Sequence, residues 1–117
     1  WRNVDGFQKF GTFKGNANTN GAFVYLGFRP TFLINCSLRF GGSPHWESYN
    51  SVSNTLNPAI YYSTLDDGNQ TYSATSRAID FLSNGFKIRN SDVDSNSTSG
   101  QAFYCWGDVP FKYGNTF

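Results

Sequence analysis

The sequence predicts an all-β domain, either a single antiparallel β-sandwich of jelly-roll-like character or a small barrel, with about seven to eight short strands. Three observations carry this. Apolar side chains recur at every second residue in most segments, the period of a strand with one buried face. Gly, Asn, Asp, Pro and Ser punctuate those segments at short intervals. The apolar volume is held mainly by 12 Phe, 7 Tyr and 3 Trp, residues that fit a pleated surface better than a helix. A chain of 117 residues lies in the usual range for one domain, so residues 1–117 are expected to share one core.

Residues 1–6 form a leading arm. The chain begins at Trp1 and contains no Met, so it reads as a processed product or as the C-terminal part of a longer chain. Residues 7–14 and 22–28 make two strands separated by Asn20-Gly21, a pair suited to positive φ. Pro30 marks a strand junction, where its missing N–H does no harm. In residues 31–40, Phe32, Ile34, Cys36, Leu38 and Phe40 share one face and Thr31, Asn35, Ser37 and Arg39 the other. Leu33 alone breaks the alternation, so the Phe32 face is expected to be the buried one. Strands over 46–51 and 59–64 follow, the second closed by Asp67-Gly68.

Residues 73–82 admit two readings. Ala74, Ala78 and Leu82 give a helical stripe, while Ile79 and Phe81 alternate as in a strand, and the strand is preferred. Asn84-Gly85 signals a hairpin into Phe86 and Ile88, which alternate with Lys87 and Arg89. Residues 92–100, rich in Ser, Asn and Asp, read as an exposed loop. In 101–106, Ala102, Tyr104 and Trp106 alternate with Gln101, Phe103 and Cys105. Apolar on both faces, this strand belongs at the centre of a sheet or between two layers. Pro110, Phe111 and Tyr113 end the last strand and close the base of the core.

Charged residues are 15% of the chain, below the usual quarter, and the net charge is +1. That balance offers no clustered basic excess of the kind nucleic acid or an acidic membrane surface would need, so neither is an expected partner. No run of about 20 apolar residues and no signal-peptide pattern is present. Cys36 and Cys105 are too few for a zinc site or a disulfide framework. They read as reduced, half-buried thiols, with one disulfide as the alternative. Sequons at Asn35, Asn69 and Asn96 are no more than chance provides in a chain so rich in Asn, Ser and Thr.

Acid–base catalysis needs titratable groups converging in one pocket, and this chain has one His, one Glu and seven Asp. His45 and Glu47 would share a strand face near Ser43 or Ser48, but no G-x-S-x-G elbow accompanies them and His45 follows Pro44 as a turn residue would. Asp66-Asp67 reads as part of a turn. Asp92, Asp94 and Asn96 have the alternate spacing that opens a calcium loop, without the central Gly and distal Glu that complete one. No catalytic residue, metal or cofactor is expected, and the chain does not read as an enzyme. A better binding candidate is an aromatic platform, because a flat ring stacks on the apolar face of a sugar while neighbouring polar groups meet its hydroxyls. Trp46 and Tyr49 with Glu47 and Asn50, together with Tyr61 and Tyr62, are the candidate ligand-binding residues.

Four blocks, VDGFQKFGTFKGN over 4–16, GAFVYLGFRP over 21–30, AIDFLSNGFKIR over 78–89 and PFKYGN over 110–115, add a resemblance. Together, and in this order, they resemble a domain of unknown function recurrent in structural proteins of marine bacteriophages, where it often ends long tail-fibre-like chains. In that family the strand after the GFRP block usually ends in Lys, where this chain has Asn35-Cys36. The resemblance implies a non-enzymatic virion structural protein: a tail-fibre or appendage module, or a capsid decoration protein. It implies exposure on the particle, a homo-oligomer and other virion proteins as partners. The alternative is a carbohydrate-binding module that reads a host surface glycan.

Overall fold

The computed structural model describes residues 2–38, 46–65 and 71–107. Among these lie nine strands: β1 (Gln8–Phe13), β2 (Phe23–Tyr25), β3 (Pro30–Ser37), β4 (Trp46–Asn50), β5 (Tyr61–Thr64), β6 (Thr71–Ser73), β7 (Ile79–Leu82), β8 (Gly85–Ile88) and β9 (Gln101–Gly107). They build two antiparallel sheets, one ordered β1-β9-β3-β4-β5-β6 and the other β2-β8-β7. β1 pairs with β9 and β2 with β8, while the chain crosses between sheets from β1 to β2 and again from β8 to β9. That nested pairing is jelly-roll-like, and β3 to β6 extend it as a meander. The sandwich reading therefore holds over the barrel: among the described residues the isolated Ala59–Ile79 bridge, not a strand ladder, links the sheets.

Residues 73–82 divide between the two readings of their sequence. A 3-10 turn occupies Thr75–Arg77 and β7 begins at Ile79. The ninth strand, β6, has no apolar alternation to announce it. Ser43, His45, Asp66 to Asn69 and Pro110 to Tyr113 lie outside the described residues.

Leu33, Tyr49, Phe103 and Cys105 of the large sheet pack against Val24, Ile79, Phe81, Phe86 and Ile88 of the small one. Phe86 meets Phe13 at 5.8 Å and 75°, and Phe103 at 5.7 Å and 69°. Such edge-on contacts are the ones the aromatic quadrupole favours. β9 sits between β1 and β3, as its two apolar faces predict. In β3 the period is as expected and the side is inverted. Leu33, Asn35 and Ser37 face the core, in register with Cys105, Phe103 and Gln101 of β9, whereas Phe32 and Ile34 face outward and are only half-buried. The polar residues can go inward because the chain beyond β8 supplies partners: Asn35 Nδ2 donates to Ser95 O at 3.1 Å.

The segment 92–100 is a loop, as expected, and is exposed at Val93, Thr98 and Ser99, but its middle is part of that interior. Ser95, Asn96 and Ser97 are buried. Asn96 Nδ2 lies 2.7 Å from Asn90 O, 3.0 Å from Asn18 O and 3.1 Å from Asn16 Oδ1, and its Oδ1 accepts the Asn16 N–H at 3.0 Å. A side-chain amide carries the same donor and acceptor as a peptide, so it can replace a missing strand neighbour. Asn57 does this for Phe81 on the edge strand β7, accepting its N–H at 2.9 Å and donating to its carbonyl at 2.8 Å. Asn3 likewise accepts the Phe10 N–H on edge strand β1 at 2.9 Å, so the leading arm folds back along the sheet. Asparagine richness is thus structural, and the sequons at Asn35 and Asn96 are buried within it; Asn69 lies outside the described residues.

Two turn glycines act differently from expectation. Neither Gly21 nor Gly85 has positive φ; the described residues that do are Gly6, Gly27, Gly100 and Ala17. Instead a Cβ on Gly85 would lie 2.0 Å from Val24 O, and one on Gly21 2.4 Å from Ile88 O, so both serve close approach of backbones. The hairpin itself turns at Ser83-Asn84, with Leu82 opposite Gly85. Cys105 faces the core and Cys36 the other side of the sheet, which settles the cysteine alternatives as two free buried thiols.

Candidate functional site

The pleat of β4 separates the residues that the sequence suggested as one platform. Trp46, Ser48 and Asn50 point outward, and Glu47 and Tyr49 inward. Trp46 is 40% exposed and Tyr61 46%, while Glu47 and Tyr49 are 0% and 1% exposed. Tyr62, one residue on from Tyr61, packs inward against Tyr49 at 5.8 Å. Glu47 and Tyr49 are therefore removed from any surface ligand site, and the outward set is Trp46, Asn50 and Tyr61.

Inside, Glu47 belongs to an ion cluster. Arg77, the last residue of the 3-10 turn, pairs with the buried Glu47 carboxylate, with Asp92 at 3.3 Å and with Asp94 at 3.3 Å. The Tyr49 hydroxyl lies 2.8 Å from Arg77 O and 3.0 Å from Glu47 Oε2, two acceptors for its one proton. Burial, then the neighbouring Tyr62 and Asp92, holds the Tyr49 hydroxyl well above the usual tyrosine range. Burial also pushes the Cys105 thiol up. These groups tie β4 to the 3-10 turn and the 92–94 loop, and the calcium-like spacing of Asp92, Asp94 and Asn96 is taken up by Arg77 and by the Asn96 hub. Among the described residues no three His, Cys, Asp or Glu side chains are grouped to hold a metal ion.

The outer face of the six-stranded sheet is the more distinctive surface. Register aligns Gln8, Trp106, Phe32 and Asn50 in one row; Phe10, Tyr104, Ile34, Ser48 and Ser63 in the next; and Thr12, Ala102, Cys36 and Trp46 in a third. None of these side chains is charged. Phe10 meets Tyr104 and Trp106, and Phe32 meets Trp106, each at 5.6 Å, while Trp46 stacks on Tyr104 at 6.1 Å and 16°. The small sheet covers the opposite face. An antiparallel sheet usually turns polar residues to the side away from its core, so this arrangement departs from the rule. The sequence pattern did not single out Phe10, Phe32, Tyr104 and Trp106 as functional. The signal was the two-sided apolar pattern of β9, which reads equally well as depth. No helix among the described residues is long and apolar enough to cross a membrane.

No curated protein and no solved structure matches the chain. Residues 1–110 match DUF7483, described as a domain of unknown function. The matched stretch takes in every described strand of both sheets, and this chain belongs to the DUF7483 family.

Proposed function

We propose that this chain is a non-enzymatic structural module of a phage virion that assembles with copies of itself through the outer face of its six-stranded sheet. The observation that carries the assembly reading is the uncharged aromatic ladder of Phe10, Tyr104, Trp106, Phe32 and Trp46. Two such faces can meet without desolvating a charged side chain of these rows, and desolvating a charge is costly. A two-fold contact would set this face against the same face of a second copy. The four resembling blocks support the virion setting, as a tail-fibre or appendage module or as a capsid decoration protein. Many weak copies around a symmetric particle gain strength by avidity, so a modest contact suffices.

Sedimentation velocity of the wild type, Thr12→Lys and Ile34→Lys tests the assembly. Both substitutions place a charge on the outer face, Thr12 at an exposed position and Ile34 at a half-buried one. The wild type is expected to sediment above the 13.1 kDa monomer, and both variants as monomers with unchanged circular dichroism. A monomeric wild type would overturn the reading. Quantitative mass spectrometry of purified particles tests the setting, and absence of the chain from them would remove it.

A further inference from the structure

At the β4–β5 margin of the outer face the aromatic ladder gives way to hydroxyl and amide groups. Ser48 stands opposite Ser63, so Ser48, Asn50, Tyr61 and Ser63 project to the same side, and the turn after β4 brings Ser53 beside them. Asn50 builds that turn: its Oδ1 accepts the Ser53 N–H at 2.7 Å and its carbonyl accepts Asn54 Nδ2 at 3.0 Å. Asn54 in turn holds the Tyr61 backbone, donating to its carbonyl at 2.9 Å and accepting its N–H at 3.0 Å. The result is a pre-formed depression of about 140 Å³ lined by Ser48, Asn50, Ser53, Tyr61, Tyr62 and Ser63. Tyr61 remains 46% exposed beside it.

We infer that this depression is a subsite for one pyranose unit of a neutral glycan. Its volume lies below the roughly 300–1,000 Å³ of pockets that enclose drug-sized ligands, which suits a single ring. The Tyr61 ring offers a flat apolar surface for a sugar face. Asn50 Nδ2 is left to donate once Oδ1 holds the turn, the Ser53 hydroxyl serves as donor or acceptor, and the Ser48 hydroxyl, which donates to Ser63 O at 3.4 Å, serves as acceptor. No lining residue is charged, so an acidic sugar would find no counter-ion and a neutral one loses nothing. One unit binds weakly, and repetition along a glycan or among copies of the chain multiplies it. The inference does not depend on the assembly reading, because sedimentation and sugar binding are read separately.

The test is titration of the ¹⁵N-labelled protein with linear gluco-, manno- and galacto-oligosaccharides at millimolar concentration, with a polyuronate as control. Amide shifts at Asn50, Ser53 and Tyr61 are expected with at least one neutral sugar and not with the polyuronate. Tyr61→Ala should weaken that sugar about tenfold, the size of a lost ring contact. Asn50→Asp keeps the acceptor for the Ser53 N–H and removes the donor, so it should weaken binding while leaving the spectrum of the turn in place. No shift with any of the three sugars would overturn the subsite, as would equal binding by Tyr61→Ala.

Discussion

Replacing Arg77 with Met is the severest test of the interior ion cluster. Arg77 faces a carboxylate that is 0% exposed, with two further carboxylates beside it, and its own side chain is only 15% exposed. Removing it strands Glu47 as a buried charge and leaves Asp92 and Asp94 to repel it. Breaking a buried pair in this way costs about 3–5 kcal/mol, whereas an exposed pair would cost at most about 1 kcal/mol. With a urea m-value near 1.5 kcal/mol/M, in the range of small proteins, the midpoint should fall by roughly 2–3 M. Tryptophan fluorescence reads the transition, since Trp46 and Trp106 both lie on the large sheet. Glu47→Gln in the Arg77→Met background removes the stranded charge and should recover part of the loss. A midpoint within about 0.3 M of wild type for Arg77→Met, or a double variant no more stable than the single one, would refute the reasoning.

Three further outcomes follow from other contacts. Gly85→Ala puts a Cβ 2.0 Å from a backbone carbonyl, so β2 and β8 must part, and urea unfolding should show a loss of at least about 2 kcal/mol. Asn96→Ala deprives the Asn90 and Asn18 carbonyls and the Asn16 N–H of a buried partner, for a loss of about 3 kcal/mol read by the same assay. Alkaline pH should destabilise the fold, because Tyr49 and Cys105 both have folded pKa values raised by burial. Their contribution is complete below the unfolded values, about 10 and 8.5, and is lost as pH rises toward the folded ones, at up to about 1.4 kcal/mol per pH unit per group. Tyr49→Phe should flatten that alkaline limb of the stability curve, and an unchanged limb would count against the assignment.

The strands that the sequence announces are those whose residues alternate against a single core. Phe86 and Ile88 against Lys87 and Arg89 are legible for that reason, and so is the central place of β9. Which face of β3 turns inward is not legible, because the groups that decide it lie far away: Asn35 Nδ2 donates to Ser95 O, and Leu33 is aligned with Cys105. A period of 2 fixes the alternation and leaves the side to long-range register. The polarity of residues 92–100 misleads for a related reason, since Asn96 is polar and buried only because Asn16, Asn18 and Asn90 converge on it. The candidate site is half legible. Trp46, Asn50 and Tyr61 lie outward as a binding platform needs, whereas Glu47 and Tyr49 alternate with them into the core, and no sequence spacing within β4 says which alternate set is which.

Photo-cross-linking from position 32 tests the central claim most directly, because Phe32 lies on β3, an inner strand of the six-stranded sheet, beside Trp106. With benzoylphenylalanine in place of Phe32, irradiation should give a covalent dimer whose cross-linked peptide maps to β1, β3 or β9 of the second copy. Cross-links confined to one chain, or to the β2-β8-β7 sheet of a second copy, would contradict assembly through the outer face.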